Sequence, residues 1–597
     1  MSRTAPVRPA ARREDDEVLG KAYDARLMRR LLVYVRPHAL LVAASGALLI
    51  AVSGAQLLQP WLVKLAIDGP IARRSVEGLN LLGFLYMLAL ALELGLRWIQ
   101  VYLTERAGQN VVYDIRSDVF AHLQRLSASY FDANPVGRLM TRVTTDVDAL
   151  SEFFSLEVVT VLIDVVKLVS ILAILLAMDF YLALITLAVV PVLFGLSVFF
   201  RARLRDAYRA IRTRIARINA SLQENISGIT EIHLFRREPL NNAAFDRLNR
   251  DHRDADLGSV LYDSMLSAAV ELVGSLSVAL LIWYGGGRIL SGHLTFGTLV
   301  AFLAYVKQFF LPIQDLSAKY AVMQSAMASS ERIFALLDTP AEIVSAPDPP
   351  PPPPPAGTIA FENVRFAYRP GEDVLKGVSF TIARGQTVAI VGATGSGKST
   401  LIRLLIRLYD VGSGRILVDG RDVREYDLSE LRRRVGLVLQ DPYLFADTAL
   451  HNLTLGDPSV GFERARAAAR AVGADAFLES QPGGYDGEIR ERGGNLSTGQ
   501  KQLLSFARCL ARDPEILVLD EATSAVDPET ERRLQQAVAT LTSGRTSLVV
   551  AHRLATVLRA DRILVMHHGE IRESGTHEEL LRLGELYSRL YSLQFGD

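Results

Sequence analysis

Six stretches in the first half of the chain are almost uninterruptedly apolar: residues 39–67, 81–103, 153–178, 181–200, 264–287 and 296–313. A helix needs about 20 residues to cross the hydrocarbon of a bilayer, so each stretch is read as a membrane span. The sixth is short when counted strictly, and its flanks extend it. Between the spans the pattern becomes amphipathic. In "RIARINASLQENISGITEIHLF", Ile215, Ile218, Leu222, Ile226, Ile229 and Ile232 recur at helical spacing, which predicts helices that run on out of the membrane. At about 1.5 Å of rise per residue they reach far enough to touch a soluble domain. Beyond residue 357 short β-rich runs appear: "GTIAFENVRFAY", "VSFTIA", "TVAIVG", "EILVLD" and "TSLVV". They alternate with helical runs such as "LIRLLIRLY", which predicts a soluble α/β domain.

Six crossings put both termini on one face, and arginine placement says which. Arg106, Arg116, Arg125, Arg138 and Arg142 lie between spans two and three, and twelve arginines lie between Arg201 and Arg253. The opposite loops hold Arg73, Arg74 and Arg288. The excess makes the termini, the long segments and the α/β domain cytoplasmic in a multi-pass protein of the cell inner (cytoplasmic) membrane. Half of the residues are hydrophobic, which suits a membrane protein with a large soluble part. The 65 basic and 65 acidic residues balance, so charge indicates no nucleic-acid partner. The lone Cys509 excludes an intrachain disulfide or a cysteine metal cluster and reads as a buried helix residue. Residues 1–25 read as a solvated tail, since Arg12 and Arg13 are followed by acids and not by an apolar signal core. Residues 26–338 then form the membrane domain, 339–357 a linker and 358–597 the α/β domain. The linker contains "APDPPPPPPPAG", a stiff polyproline spacer. Within the spans, Glu93 and Arg97 are four apart and Asp164 and Lys167 three apart, spacings at which each couple can pair on one helix face. Lys307 has no acid within such reach and is a cavity candidate.

The chemistry sits in the α/β domain. "GATGSGKST" fits G-x-x-x-x-G-K-[ST] and lies between a predicted strand and a predicted helix. Such a turn points backbone amides at phosphate oxygens, Lys398 reaches the outer phosphates and Ser399 can hold Mg²⁺. A second strand ends in Asp520 and Glu521 and a third runs out at His552. The carboxyl ends of parallel strands are where ligands bind. Asp520 is placed in the metal shell and Glu521 beside the attacking water.

These residues together resemble the nucleotide-binding domain of ATP-binding cassette (ABC) transporters over 358–590. Tyr368 is similar to the aromatic that stacks on adenine. Gly392, Ala393, Thr394, Gly395, Ser396, Gly397, Lys398, Ser399 and Thr400 match Walker A, and Gln440 in "VLQDPYLF" matches the Q-loop glutamine. Ser497, Thr498, Gly499 and Gln500 match the signature. Asp520 and Glu521 match Walker B and the catalytic glutamate, Asp527 the D-loop and His552 the switch histidine. "YFDANPVGRLMTRVTTDVDAL" and "ENISGITEIHLFRRE" resemble the two intracellular loops of exporters. The resemblance implies a multi-domain fold: a six-helix all-α transmembrane domain, then an α/β P-loop (RecA-like) domain with an antiparallel β subdomain and a helical signature subdomain. It implies ATP with Mg²⁺ held by Ser399, Gln440 and Asp520, and catalysis by Glu521, His552 and Gln440. It also implies an obligatory second half-transporter, because each ATP is shared between Walker A of one chain and the signature of the other. The implied activity is ATP-driven export or flipping of amphipathic small molecules or lipids. A gated channel or regulator is the alternative, favoured by a missing catalytic glutamate, which is not the case here. The one departure is Thr498, where the family has glycine. An altered signature beside an intact Glu521 fits one subunit of a heterodimer, which is the preferred expectation; a homodimer that tolerates threonine is the other.

Overall fold

The computed structural model describes residues 24–154, 158–346, 348–520, 527–551 and 554–595. Glu521, His552 and nearly all of the expected tail lie outside the described residues. The chain divides into two compact units. One is Met1–Ala121 with Leu139–Asp338, and the other is His122–Arg138 with Thr339–Asp597.

The first unit is helical: α1 (Ala25–Val35), α2 (Ala39–Ala66), α3 (Val76–Leu123), then, after α4 (Ala128–Ala133) of the second unit, α5 (Val136–Val143), α6 (Thr145–Glu152), α7 (Val158–Met178), α8 (Phe180–Ser227), α9 (Ile229–Leu234), α10 (Glu238–Leu290) and α11 (Phe296–Leu337). Helices α3 and α8 have 48 residues each and α10 has 53. At 1.5 Å per residue they are about 70–80 Å long, more than twice the hydrocarbon thickness, so the expected protrusions are continuous with their spans. Among the described residues, four stretches are long and apolar enough to cross a membrane: Ala25–Ile71, Val76–Leu123, Phe180–Ser227 and Glu238–Leu290. The 21 residues of α7 are almost wholly apolar. The sixth apolar stretch lies in the first half of α11.

Polar residues at the joints end the helices. Asp179 separates α7 from α8 by accepting the amides of Tyr181 and Leu182, and it also takes the Arg288 guanidinium at 2.8 Å. Thr295 caps α11 through the Thr298 amide. Ile171, Leu175, Leu182, Leu281 and Phe302 form a buried core between α7, α8, α10 and α11, and the Tyr305 hydroxyl donates to the Leu57 carbonyl at 2.6 Å. The charges inside the spans pair differently from the helical spacing. Glu93 accepts from Gln56 at 2.8 Å and from Gln59, the side-chain Oε1 of Gln56 accepts from Lys167 at 2.7 Å, and Asp164 takes Lys319 of α11. Among the described residues neither Glu93–Arg97 nor Asp164–Lys167 closes into an ion pair. Spacing puts two residues on one face; the neighbouring helices α2 and α11 deliver closer partners to those faces.

Among the described residues the second unit holds twelve strands: β1 (Ile359–Ala367), β2 (Asp373–Ile382), β3 (Thr387–Val391), β4 (Ser413–Val418), β5 (Arg421–Asp422), β6 (Val435–Val438), β7 (Asp447–Thr448), β8 (Glu488–Ile489), β9 (Ile516–Asp520), β10 (Thr546–Val550), β11 (Arg562–His567) and β12 (Glu570–Gly575). A six-stranded sheet has the order β12-β11-β3-β10-β9-β6, parallel except for the edge strand β12. An antiparallel sheet runs β2-β1-β4-β5, and β7 pairs with β8. Successive residues of a strand point to opposite faces. Val388, Ile390, Val518 and Leu548 accordingly join one core with Phe361 and Ile416 of the antiparallel sheet. Ala389, Leu519 and Val549 join the other with Leu503 and Phe506 of the helix Thr498–Arg512. Burial on both faces is why these strands read as unbroken apolar runs.

The polyproline run is not a free spacer. Its carbonyls, which keep their acceptor capacity, lie on the second unit. Arg421 donates to Pro350 and Pro351 at 3.0 and 2.9 Å, and Arg434 to Pro353 at 2.9 Å. Arg434 also pairs at 2.9 Å with Asp419, whose side chain is fully buried. Arg434→Met is therefore expected to cost roughly 3 kcal/mol, since it strands a buried carboxylate as well as releasing the linker. A lowered thermal midpoint of the ATPase domain in the full-length protein measures it.

Candidate nucleotide site

Strand β3 ends at Val391 and the helix α12 (Lys398–Leu405) begins after a turn of six residues. The turn between them closes only with glycine at its last position. Gly397 has φ of 104°, and a Cβ there would lie 2.8 Å from Leu375. The first-turn amides of α12 have no intrahelical acceptor and carry the positive end of the helix dipole, the feature that binds phosphate. Lys398 is buried, and its ammonium donates to the carbonyls of Gly392 at 2.7 Å and Ala393 at 3.0 Å. Burial pushes its pKa below the ordinary lysine value, and Asp520 opposes the shift, so lysine and aspartate share one electrostatic site. The Ser396 hydroxyl is buried in the same turn without a hydrogen-bond partner among the described residues, an unspent polar group where a phosphate oxygen would lie. Ser399 is exposed at the helix start.

Tyr368 stands at the lip of this turn. Its hydroxyl is 3.2 Å from Thr400 Oγ1, and its ring, 42 % exposed, is held edge-on by Phe366 and Tyr409 at 4.8 and 5.2 Å. An open aromatic face fixed beside a phosphate turn suits a purine. The sheet brings up the other residues. In register Asp520 faces Val550 on β10, and Leu519 faces Val438 on β6. The ends of β3, β10, β9 and β6 thus lie along one edge, with Asp520 at the tip of β9 and Gln440 two residues past β6. Glu521 directly follows β9, and His552 comes two residues after β10. No group of three or more His, Cys, Asp or Glu side chains is arranged to cage a metal among the described residues. Mg²⁺ ordinarily arrives with phosphate oxygens and one or two carboxylates, and Asp520 at the tip of β9 is a carboxylate of that kind.

The signature residues open the helix Thr498–Arg512. Ser497 is its N-cap, and it forms a capping box with Gln500 through bonds of 3.3 and 2.9 Å. Thr498 occupies the first helical position with its side chain exposed, so threonine adopts ordinary helical geometry there. Gly499 is the irreplaceable residue: it is buried, and a Cβ would run into the Thr530 methyl. Asp527 caps the helix that carries Thr530, accepting from Glu529 and Thr530, and the Thr530 hydrogen bond holds its carboxyl below the usual range.

Two residues were missed by the sequence reading. Asp132 of α4 accepts the Tyr409 hydroxyl and lies 3.8 Å from Arg403. Burial and then this carboxylate raise the Tyr409 phenol above its ordinary value. The segment between spans two and three thereby touches the residue that positions Tyr368; its signal was the "YFDANP" motif itself. Arg508 lies inside the signature helix and donates to the carbonyls of Asn452 at 2.7 Å and Tyr443 at 3.0 Å. Burial lowers its guanidinium to about 10. With Gln502, which donates to the Gln440 carbonyl, it ties the signature helix to the Q-loop. Nothing in its sequence position marked it.

A phosphate-binding turn, an aromatic plate and a strand-end carboxylate, in a chain that also carries long apolar helices, define an ATPase built onto a multi-pass membrane protein. Residues 42–313 match the family described as ABC transporter transmembrane region, and residues 375–524 the family described as ABC transporter. The chain is 37% identical over 588 residues to the uncharacterized ABC transporter ATP-binding protein YknV of Bacillus subtilis, covering 97% of this chain and 96% of that one. It is 35% identical to an ATP-dependent lipid A-core flippase of Syntrophus aciditrophicus, over 96% and 95% of the two chains. Its fold matches the structure of a bacterial Atm1-family ABC exporter with ATP bound at a TM-score of 0.75 and 28% identity, covering 96% of this chain and all of that one. The chain belongs to the ABC transporter family: it is an exporter-type ATPase that couples ATP hydrolysis to transport and works as a dimer.

Proposed function

We propose that the chain is a half-transporter with six spans that exports or flips an amphipathic substrate, a lipid or a drug, in the inner membrane with its ATPase domain cytoplasmic. The observation that carries the reading is the convergence of Lys398, Asp520 and Tyr368 on one turn of a domain joined to long apolar helices. Lys398 and the α12 amides hold the phosphates and Tyr368 holds the base. Ser399, Gln440 and Asp520 would hold Mg²⁺, which neutralises charge on the transferring phosphoryl group. Glu521 orients the water, and His552 steadies the outer phosphate. Ser497 and the Gly499 amide of one chain complete the site of the other. Closing the pair on ATP turns the cavity outward, and phosphate loss resets it. The lipid A-core flippase among the relatives supports a lipid-like cargo.

The signature supports a heterodimer in which the second chain supplies an intact glycine motif and lacks its own glutamate. The exposed, unstrained Thr498 favours the second reading, a homodimer in which threonine is tolerated. One experiment tests both: the purified chain alone, in vesicles, assayed for ATPase and for ATP-dependent movement of a fluorescent lipid, with and without Thr498→Gly. Transport by the single polypeptide removes the heterodimer. If the chain alone is silent, and Thr498→Gly leaves it silent, a different partner is required. Absence of any ATP-dependent movement from every pairing would overturn the exporter reading.

A further inference from the structure

The geometry points to an ion pair inside the membrane between Arg97 of one copy and Glu271 of the partner subunit, formed twice across the two-fold axis of a homodimer. This rests on the homodimer reading of the proposed function.

Most charges within the spans are satisfied inside one chain: Glu93 by two glutamines, Lys167 by Gln56, Asp164 by Lys319 and Lys64 by the Trp61 ring. Arg97 on α3 and Glu271 on α10 are different. Both are exposed, and neither has a hydrogen bond or ion pair among the described residues. A guanidinium stays charged at any physiological pH, and an isolated charge in hydrocarbon is costly and needs a partner. Arg97 cannot be excused as a surface residue, since six further residues, about 9 Å of helix, separate it from the end of its apolar stretch.

The depths agree. On the arginine-poor face the apolar stretch of α3 begins at Leu81, and Arg97 lies 16 residues along it. The apolar stretch of α10 ends at Gly287 on the same face, and Glu271 lies 16 residues before that end. Taking 1.5 Å per residue, each sits about 24 Å from that face, within a hydrocarbon layer about 30 Å thick. Two copies inserted the same way are related by an axis along the membrane normal, which preserves depth. Only residues at equal depth can meet across it, and a two-fold contact of one residue with another is repeated in reverse. Lys307, the other exposed cation of the spans, lies only about 16 Å from that face and does not match. The helices concerned are also poorly covered: in α3 and α10 only 11% of the apolar window is buried within one chain. Opposite charges at one level on two bare helices are complementary to a second copy, which gives each the counter-charge its own chain withholds.

The test uses the full-length chain in its membrane. Cys509 is the single native cysteine and is buried, so introduced thiols are read on a clean background. Oxidation of Arg97→Cys/Glu271→Cys is expected to give a covalent dimer that reductant dissolves, and either cysteine alone is expected to give none. Arg97→Glu or Glu271→Arg is expected to lower the dimer fraction about tenfold, as loss of a desolvated charge pair implies, and the exchanged pair Arg97→Glu/Glu271→Arg to recover most of it. A double-cysteine chain that forms dimers with ATPase activity but no cross-link, together with an exchanged pair no better than the single variants, overturns the ion pair alone. A chain that stays monomeric and hydrolyses no ATP sinks the homodimer reading beneath it, and the ion pair with it. If Arg97 instead meets an anionic substrate, the cross-link is absent and the exchange does not rescue, and the inference falls.

Discussion

Glu521→Gln is expected to stop ATP turnover, by about three powers of ten or more, and to leave ATP binding intact. In sequence Glu521 directly follows Asp520, the last residue of β9, a strand that ends on the same sheet edge as β3. Glutamine keeps the size and hydrogen-bonding reach of glutamate but cannot take a proton from water or hold it by charge. The cradle of Lys398, the α12 amides and Tyr368 is untouched by the change. Hydrolysis and binding should therefore separate: phosphate release collapses, while a fluorescent ATP analogue binds as before. The trapped nucleotide should also hold two ATPase domains together, so the variant is expected to gain a long-lived ATP-dependent closed dimer. Near-normal turnover would remove Glu521 from the role of base. Loss of binding along with turnover would show that the carboxylate supports the cradle.

Much of this was written in the sequence, and the exceptions share a cause. Apolar runs longer than a bilayer, and β-rich runs ending in glycine or acid, are local patterns, so spans and parallel strands could be read from them. Lys398 and Asp520 were read as following and ending strands of one sheet, and β3 and β9 do end on one edge, with Gln440 two residues past β6. What was not legible depends on contacts far apart in sequence. Nothing local says that Arg421 and Arg434 will hold the proline carbonyls, or that Asp132 will reach Tyr409. Helical spacing paired Glu93 with Arg97, while α2 supplied two glutamines that the spacing cannot see. Thr498 looked like a defect because a motif records residue types and not backbone geometry. At the first position of a helix capped by Ser497, threonine costs the backbone nothing, and only the neighbouring Gly499, pressed against Thr530, is beyond substitution.

Lys398→Ala should act one step earlier than Glu521→Gln, on binding itself, with ATP affinity falling about a hundredfold and turnover with it. The ammonium is buried in the turn, its charge disfavoured by burial and supported by Asp520 and by the carbonyls of Gly392 and Ala393. An arriving phosphate replaces those neutral carbonyls with charged oxygens, which is the source of the affinity. Removing the side chain leaves the dipole of α12 and the Ser396 hydroxyl, enough for weak anion binding but not for a triphosphate at cellular levels. Stability should change little, because the lost bonds run to the lysine's own loop and a desolvated charge is removed with them. The two substitutions together form a diagnostic pair: a nucleotide titration should find Glu521→Gln saturating like the unmodified chain and Lys398→Ala shifted to high concentration, both without hydrolysis. If Lys398→Ala bound ATP normally, the phosphates would have to rest elsewhere on the domain, and the placement of Asp520 and Tyr368 around them would fall with it.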